Sequence, residues 1–419
     1  MTGLPLEGVR VLDLTRVWAG PLATRILADF GAEVIKVESR SARGPASVPA
    51  EYARRSGFYP NGEAGERPWN RNGFHNKMNR NKRSVTIELN TEDGVALFRR
   101  LVAVSDVVIE NYSPRVMANF GLDYPRLREV RPDIIMVSMP GYGMTGPYRD
   151  RVSYGTTLEP EAGLSSLMGY PDRGPQRLGV AYPDPVAGIH AAGAVLMALW
   201  HRRRTGRGQY VDLAQVETAV NVIGEYVVGY QLNGRRPARL GNRHPWMAPH
   251  GCYPCRGEDR WITIAVGDDA AWQGLCRVLG RPDLAADPRL ATPQGRWEHQ
   301  EEIDTAIRSW TQDQEMLDAM HRLQAAGVPA GAVLDARDLA TNEHLEARGF
   351  FPRLTHPDAG THPYPGQPIR LSATPAVFRT DAPRLGEHNE EVFKGLAGLS
   401  DQEYDRLVEQ GVIGDRPPH

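Results

Sequence analysis

Apolar residues in the first 140 positions come in short runs, and segments with apolar residues at three- and four-residue spacing separate these runs. Short apolar runs are typical of strands buried in a parallel sheet. The predicted strands are 9–14, 34–37, 84–89, 106–110 and 134–139. Because helical patterns lie between them, the sequence predicts an α/β fold with a doubly wound parallel sheet.

Two stretches depart from this alternation. Residues 41–76 are rich in Gly, Pro, Arg and Asn and have no periodicity, so we expect a long loop there. Beyond residue 240 the pattern predicts a smaller unit, with strands at 261–266 and 328–334 and helices at 270–279, 297–310 and 313–326. Near the end, Ser400 and Glu403 form the pattern of a capping box, and Gly411 should end the helix that follows.

Composition and charge limit the possible functions. With 419 residues the chain fits two domains, and a formal charge of −2 gives no reason to expect nucleic acid or an anionic membrane as a partner. Three cysteines indicate a reducing compartment without disulfides, and the N-terminus lacks the features of a signal peptide. We therefore expect a cytoplasmic protein that binds neither nucleic acid nor membrane.

Asp184 is the main candidate for chemistry. It lies between Pro183 and Pro185, before an apolar helix predicted over 185–203, so we expect it to be the N-cap of that helix. Unpaired N–H groups and the helix dipole should favour its ionised form there. A single capping aspartate usually has no other role, whereas a rigidly held carboxylate can also be a nucleophile.

The residues around Asp184 resemble a known family. Gly-Val-Ala-Tyr-Pro-Asp-Pro-Val-Ala-Gly (179–188) and Arg-Thr-Gly-Arg-Gly-Gln (204–209) are similar to the nucleophile segment of the family III CoA transferases, which carry an essential aspartate there. The superfamily includes formyl-CoA transferase, carnitine CoA-transferase and the α-methylacyl-CoA racemases. Six further segments resemble the family, in the family's order: 13–21, 31–38, 79–84, 108–114, 141–148 and 385–392.

The resemblance implies a domain arrangement. A large CoA-binding domain with a Rossmann-like sheet would occupy residues 1–225. A linker and a small α+β domain would occupy 226–344, and residues 345–419 would return to the large domain. The resemblance also implies an interlocked homodimer.

The resemblance also implies a set of site residues. Asp184 would be the catalytic residue, and CoA would lie across the large domain. The positions carried over as CoA contacts are Val17, Trp18, Ala19, Asn111, Tyr112, Ser113, Arg151 and Tyr154. Arg40 and Arg83 are the candidate ligands of the CoA phosphates, with an exposed surface charge as the alternative reading of each.

The chain departs from the formyl-CoA branch of this family. Trp18 stands where that branch has a glutamine, and Ser39 and Asn119 stand where it has arginines. The small domain also lacks that branch's run of consecutive glycines. These differences argue against formyl-CoA and oxalate as substrates.

These observations together predict an acyl-CoA:carboxylate CoA transferase. Asp184 would attack the donor thioester to form a mixed anhydride, which the released thiolate would convert to an aspartyl-CoA thioester. The acceptor carboxylate would then take the CoA. Each step exchanges acyl bonds of similar energy, so we expect no permanently bound cofactor and no metal, only a CoA thioester and a carboxylic acid as substrates.

An α-methylacyl-CoA racemase on the same fold is the first alternative. Racemisation needs a proton-transfer group on each face of the α-carbon. The racemases pair the equivalent of Asp184 with a histidine in the loop where this chain has residues 153–155, Ser-Tyr-Gly. A tyrosine is a poor base at neutral pH, so we predict no racemisation.

A non-catalytic CoA-binding or zinc-binding protein is the second alternative. His244, His250, Cys252 and Cys255 lie within one predicted loop and could be zinc ligands, or the two cysteines could be redox active. The cysteine pair is single and precedes a predicted strand, so no helix dipole activates a thiolate. A loop that packs over the active site, with His244 or His250 near the acceptor, is the other interpretation.

Overall fold

The computed structural model describes residues 3–418, which divide into two compact units. The first unit contains the chain up to Leu164, Leu178–Val227 and the chain from Leu345 onward. The second unit contains Ser165–Arg177 and Val228–His344. Met1 and Thr2, which begin the N-terminal segment without signal-peptide features, lie outside the described residues.

Residues 165–177 group with the second unit, although the predicted boundaries at 225/226 and 344/345 assign them to the large domain. The backbone N–H of Gly241 donates to the carbonyl of Gly169 (2.9 Å), and the Arg239 guanidinium donates to the carbonyl of Arg173 (3.0 Å). These partners are far apart in the sequence, so no local pattern indicates the contact.

A six-stranded parallel sheet forms the centre of the first unit and confirms the predicted α/β fold. Its strands are β1 (Arg10–Asp13), β2 (Glu33–Glu38), β3 (Lys82–Thr86), β4 (Val107–Glu110), β5 (Ile135–Ser138) and β6 (Tyr210–Asp212). The order β3-β2-β1-β4-β5-β6 reverses direction between β1 and β4, and ligands bind beyond the carboxyl ends of strands at such a point. No strand was predicted at β6, because it is short and at best half-buried.

Twelve α-helices precede the second unit's sheet in the described chain. They are α1 (Ala19–Asp29), α2 (Ala50–Ser56), α3 (Pro68–Arg71), α4 (Gly73–Asn79), α5 (Glu92–Ala103), α6 (Arg115–Asn119), α7 (Tyr124–Val130), α8 (Gly155–Glu161), α9 (Leu164–Leu167), α10 (Pro183–Thr205), α11 (Gln215–Val222) and α12 (Gly224–Asn233). Among residues 3–418, no helix is both long enough and apolar enough to cross a membrane.

The prediction of a loop at 41–76 is wrong, because α2, α3 and most of α4 lie there. Of these three helices, only α4 has a side-chain cap at its beginning. The Asn72 side chain accepts hydrogen bonds from the N–H groups of Phe74 (3.0 Å) and His75 (3.2 Å) at the beginning of α4. Gly57, with a φ of 67°, ends α2.

Two apolar layers enclose the sheet. Successive residues of β1 enter different layers: Val11 packs in the layer that contains α1 and α10, and Leu12 in the layer that contains Phe98 of α5. Val392 and Phe393, from the C-terminal segment, belong to the same layer as Leu12. The end of the chain is therefore part of the first unit's core.

The second unit has its own antiparallel sheet, in the order β7-β8-β9. Its strands are β7 (His250–Pro254), β8 (Trp261–Ala265) and β9 (Ala330–Ala332). Its helices, the last of which ends beyond the unit, are α13 (Asp269–Leu279), α14 (Pro282–Ala286), α15 (Pro293–Glu298), α16 (Gln300–Thr311), α17 (Met316–Ala325), α18 (Ala336–Ala340) and α19 (Glu343–Ala347). β8 and β9 confirm the strands predicted at 261–266 and 328–334. β7 corrects the expectation of a loop around Cys252.

The C-terminal segment contains the hairpin β10 (Arg353–His356) and β11 (Gly360–Pro363), followed by α20 (Asn389–Gly395) and α21 (Asp401–Glu409). The predicted capping box is confirmed: the Glu403 N–H donates to the Ser400 hydroxyl (3.2 Å), and the Ser400 N–H donates to the Glu403 carboxylate (2.8 Å). Gly411, with a φ of 71°, follows the end of this helix as predicted.

Candidate active site

Asp184 lies in the first turn of α10 and is not its N-cap. Tyr182 occupies the N-cap position without a side-chain hydrogen bond, and its φ of −57° and ψ of −34° are already helical. Pro183, instead of Pro185, is the first helical residue. The prediction that Asp184 caps a helix beginning at Pro185 is therefore wrong, although Asp184 does lie at the end of the helix where N–H groups are unpaired.

Gly155 provides the space for the Asp184 carboxylate. A Cβ atom placed on Gly155 would lie only 2.3 Å from Oδ2 of Asp184 and 2.8 Å from Cβ of Ala181. Any side chain at position 155 would therefore displace the carboxylate. Asp184 itself is buried, with 8% of its surface exposed.

Burial raises the pKa of Asp184 to about 6. Neither a cation nor a hydrogen-bond donor among residues 3–418 offsets this loss of hydration. The expectation that the helix terminus favours the ionised form is wrong, because desolvation outweighs the helix dipole. At pH 7 the carboxylate is still mostly ionised, and its raised pKa makes it more basic and more nucleophilic than an exposed aspartate.

The face of α10 that carries Asp184 packs on the beginning of α1. Gly188, one helical turn beyond Asp184, is so close to α1 that a Cβ atom there would lie 2.5 Å from the carbonyl oxygen of Ala19 and 3.2 Å from Cβ of Leu22. This close approach sets Asp184 beside the turn that joins β1 to α1. That turn ends at Trp18, the N-cap of α1.

The turns that follow β1 and β4 are joined at the reversal point of the sheet. The Arg16 N–H donates to Oδ1 of Asn111 (2.8 Å), and the Asn111 side chain donates to the carbonyl of Arg16 (2.9 Å). The Arg16 guanidinium also lies 5.8 Å from the ring centre of Tyr112. Val17, next in the first turn, has a φ of 66°, a strained conformation for a β-branched residue that is typical of functional sites.

A buried ionic network underlies the first turn. Thr15 donates its N–H (2.9 Å) and its hydroxyl (2.5 Å) to Oδ1 of Asp13, and Lys82 binds Oδ2 at 2.9 Å. Lys36 lies 3.5 Å from Oδ1 and donates to the carbonyl of Thr15. Burial by itself raises the pKa of Asp13, but Lys36 and Lys82 hold that pKa well below its usual range. Burial lowers the pKa of Lys82 to about 8.

A pocket of about 350 Å³ opens next to this turn, at the carboxyl ends of the strands. Arg16, Ser39 and Tyr112 contribute polar groups to its wall, and Leu89 and Phe120 contribute apolar surface. An apolar pocket with a few convergent polar groups is suited to a planar heterocycle or a sugar.

Arg40 and Arg83 do not converge on this pocket. Arg40 follows β2 at the carboxyl edge, but its guanidinium packs against Gly411 and Gly414 of the C-terminal segment. Arg83 lies near the amino end of β3, opposite to the ligand-binding edge, and pairs with Glu33 (2.9 Å) and Glu391 (3.4 Å). The structure therefore does not bring Arg83 to the site.

The other predicted contacts have different surroundings. Ala19 is fully buried and presents no surface to a ligand, whereas Ser113 is exposed beside Tyr112. The Arg151 guanidinium stacks on Tyr148, 3.5 Å from the ring centre. Tyr154 is exposed and immediately precedes Gly155, which touches Asp184.

The sequence profile of CoA-transferase family III matches residues 6–389. The chain belongs to this family. It is 36% identical over 98% of both chains to a succinyl-CoA–D-citramalate CoA-transferase of Chloroflexus aurantiacus. It is also 36% identical to a succinate–glutarate CoA-transferase of Agrobacterium fabrum, with 94% of this chain and 96% of the relative covered.

A solved structure, a CAIB/BAIF family protein from Brucella suis, has the same fold. Its TM-score is 0.82 at 33% identity, and the match covers 94% of this chain and 100% of that one. The predicted family and the prediction that the chain is an enzyme of this family are both confirmed.

Three residues of this family III transferase were missed by sequence reasoning. Arg16 lies two residues beyond the predicted end of the first strand, a position that could have been singled out. Gly155 is recognisable only from its contact with Asp184, and Lys77 follows directly after the predicted loop, in a segment without an apolar repeat. The Lys77 ammonium lies 5.0 Å from the ring centre of Trp18 and 5.2 Å from that of Phe74.

The histidines and cysteines of the second unit form no metal-binding cluster within residues 3–418. His250 donates to the carbonyl of Asn242 (2.7 Å), and its ring lies 5.3 Å from that of His244. Cys252 lies in β7 and Cys255 directly after it. Burial raises the pKa of Cys252, and it raises that of Cys255 to about 11, which suppresses thiolate chemistry.

Proposed function

We propose that this transferase moves CoA from an acyl-CoA to a carboxylic acid through covalent adducts of Asp184. A carboxylate oxygen of Asp184 attacks the thioester carbonyl and CoA thiolate leaves, which gives a mixed anhydride. The thiolate then attacks the Asp184 carbonyl and the donor acid leaves. The acceptor carboxylate attacks the carbonyl of this aspartyl-CoA thioester and CoA thiolate leaves, which gives a second anhydride. The thiolate then attacks the acceptor's carbonyl in that anhydride, which gives the product acyl-CoA and releases the Asp184 carboxylate.

One observation carries this proposal: a buried aspartate without a counter-ion, seated against Gly155 at the beginning of α10, with a pKa raised to about 6. A structural aspartate at that depth would be expected to have a cation or hydrogen-bond donors. A nucleophile, in contrast, must keep its lone pairs available.

The CoA site is proposed at the reversal point of the sheet. Its contacts would be the residues that the family resemblance assigns in the turns after β1 and β4, together with Arg16. The pocket beside Arg16 and Tyr112 suits the nucleotide end of CoA, and the contact between α1 and α10 brings the first turn to the nucleophile. Arg151 and Tyr154 remain in the proposed set, whereas Arg83 is omitted because it is paired at the opposite edge.

The names of the two curated relatives suggest substrate classes. One is named for succinyl-CoA and D-citramalate, the other for succinate and glutarate. We propose succinyl-CoA as a donor and a dicarboxylic acid as the acceptor for this chain. A panel of acyl-CoA donors and carboxylic acids, assayed by mass spectrometry, tests this choice.

A homodimer is part of the proposal. Four apolar residues of α10 are exposed although the helix packs in the core through its other side: Ile189, Leu196, Met197 and Trp200. An exposed apolar stripe on a central helix is typical of a protein–protein interface. A monomeric mass by light scattering at micromolar concentration would contradict this part of the proposal.

The racemase alternative has less support. It requires a second proton-transfer group near Asp184, and the residue of the 153–155 loop that touches the carboxylate is Gly155.

Trapping tests the covalent mechanism. Hydroxylamine added during turnover with succinyl-CoA should convert Asp184 to a hydroxamate, visible as a mass change in the peptide that contains it. Asp184→Asn is the matched control and should give no adduct. Transferase turnover without an adduct at Asp184 would contradict the mechanism.

A further inference from the structure

Lys77 of α4 is held on two aromatic rings. Its ammonium lies 5.0 Å from the ring centre of Trp18 and 5.2 Å from that of Phe74, and these two rings meet edge to face at 5.7 Å. The Arg25 guanidinium donates to the Lys77 carbonyl (3.1 Å), which fixes this part of α4 on α1. The rings bind the cation but leave its N–H donors without an anionic partner.

The surroundings of Lys77 differ from those of the other three lysines. Lys36 and Lys82 lie beside Asp13, and Lys394 is paired with two surface carboxylates. Within residues 3–418, no carboxylate lies within ion-pair distance of the Lys77 ammonium. Burial, and then the nearby Arg25, lower the pKa of Lys77. A half-buried cation without a counter-ion is costly, so this position is suited to an anion that arrives with a ligand.

Lys77 and Asp184 lie on two sides of the beginning of α1. Trp18 is the N-cap of α1 and contacts Lys77, and Ala19, the next residue, contacts α10 at Gly188, one turn beyond Asp184. The beginning of α1 therefore contacts both the Lys77 side chain and the helix that carries Asp184.

We propose that Lys77 binds the second carboxylate of a dicarboxylic acid substrate, the one that is not transferred to CoA. The inference rests on the proposed function. Trp18 and Phe74 would offer apolar surface to the methylene groups between the two carboxylates. A monocarboxylic acid of the same length would leave the ammonium unpaired, and a site built around such a contact discriminates against a substrate that lacks it.

Kinetics with paired acceptors test this assignment. With succinyl-CoA as donor and carbon-13-labelled acceptors, transfer is measured as the label that enters the CoA thioester. The ratio of kcat/KM for succinate over kcat/KM for butyrate should fall about 10- to 100-fold in Lys77→Met, mainly through KM for succinate. Lys77→Arg, which keeps the charge, should restore part of the ratio. Lys394→Met, which removes a surface lysine, should leave it as in the wild type.

Three results would overturn the proposal. One is an unchanged ratio in Lys77→Met, and another is a wild type that does not prefer succinate to butyrate. The third is an equal rise in KM for succinyl-CoA and butyryl-CoA, which would mean that Lys77 binds an anionic part of CoA.

Binding measurements separate this proposal from the catalytic mechanism. Equilibrium dialysis with labelled succinate and labelled butyrate needs no turnover, and Lys77→Met should lose preferential succinate binding by a similar factor. Thermal melting checks that the variant is folded, and Lys77→Gln replaces it if it is not. Turnover retained by Asp184→Asn would contradict the mechanism alone, whereas equal succinate binding by wild type and Lys77→Met would contradict the role of Lys77 alone.

Discussion

Asp13 and Asp184 are two buried aspartates of the same unit with opposite electrostatic surroundings. Asp13 lies between Lys36 and Lys82, which hold its pKa well below the usual range although burial alone raises it. Asp184 is buried without a cation, and its pKa is raised to about 6. Burial therefore does not decide what an aspartate does. Counter-ions make Asp13 a fixed structural anion, and their absence leaves Asp184 able to form new bonds.

The largest expected effect is on the turnover of Asp184→Asn. Removal of the proposed nucleophile should lower kcat by at least about 1,000-fold, while the free energy of unfolding should change by less than about 1 kcal/mol, because no partner is lost. Transferase assays and urea unfolding of the same preparation measure both. Near-normal turnover in this variant would mean that Asp184, like Asp13, is not the nucleophile.

Asp13→Asn should show the reverse pattern. Lys36 and Lys82 would remain buried without their anion, so the free energy of unfolding should fall by about 3–5 kcal/mol. Urea unfolding measures this loss. The double variant Asp13→Asn/Lys82→Met also removes one of the two cations left without an anion. It should therefore recover part of the lost free energy of unfolding. If Asp13→Asn is as stable as the wild type, the network does not support the first turn.

Gly155→Ala should impair catalysis more than folding. Its methyl group would overlap the Asp184 carboxylate and displace it, and a displacement of about 1 Å can lower kcat by about 100-fold. Steady-state kinetics measure this effect. Gly395→Ala is a suitable control, because nothing lies within 4 Å of the added methyl group. Equal kinetics for the two variants would contradict the proposal that the Asp184 carboxylate must pack against Gly155 to react.

The smallest expected effect is on the pH dependence of activity, which should distinguish Asp184 from Asp13. Because burial raises the pKa of Asp184 to about 6, kcat/KM should fall about tenfold per pH unit below that value. The pKa of Asp13 is lowered, so its contribution to stability is present above the unfolded pKa near 3.8 and is lost only as pH falls through the lower native value. Activity should therefore fall reversibly between pH 6 and 5 while near-ultraviolet circular dichroism is unchanged. An acid limb near pH 4 would contradict the raised pKa.

Several features were predictable because their signals are local. The apolar runs of β1 to β5 and the Ser400–Glu403 capping box depend on residues close in sequence, and the structure has them. Asp184 could be selected from its motif. The supposed loop at 41–76 was misjudged because α4 begins at a single asparagine cap instead of an apolar repeat.

By itself, the sequence determined the α/β fold, the family and the aspartate on which the proposed mechanism depends, because periodic burial and ordered motifs are local properties of the chain. Only the tertiary structure decided the raised pKa of that aspartate, the glycine that its carboxylate contacts and the lysine left without a counter-ion. Desolvation and ion pairing depend on which distant residues come together. No local pattern around Asp13 or Asp184 reveals that one of them meets two lysines and the other meets none.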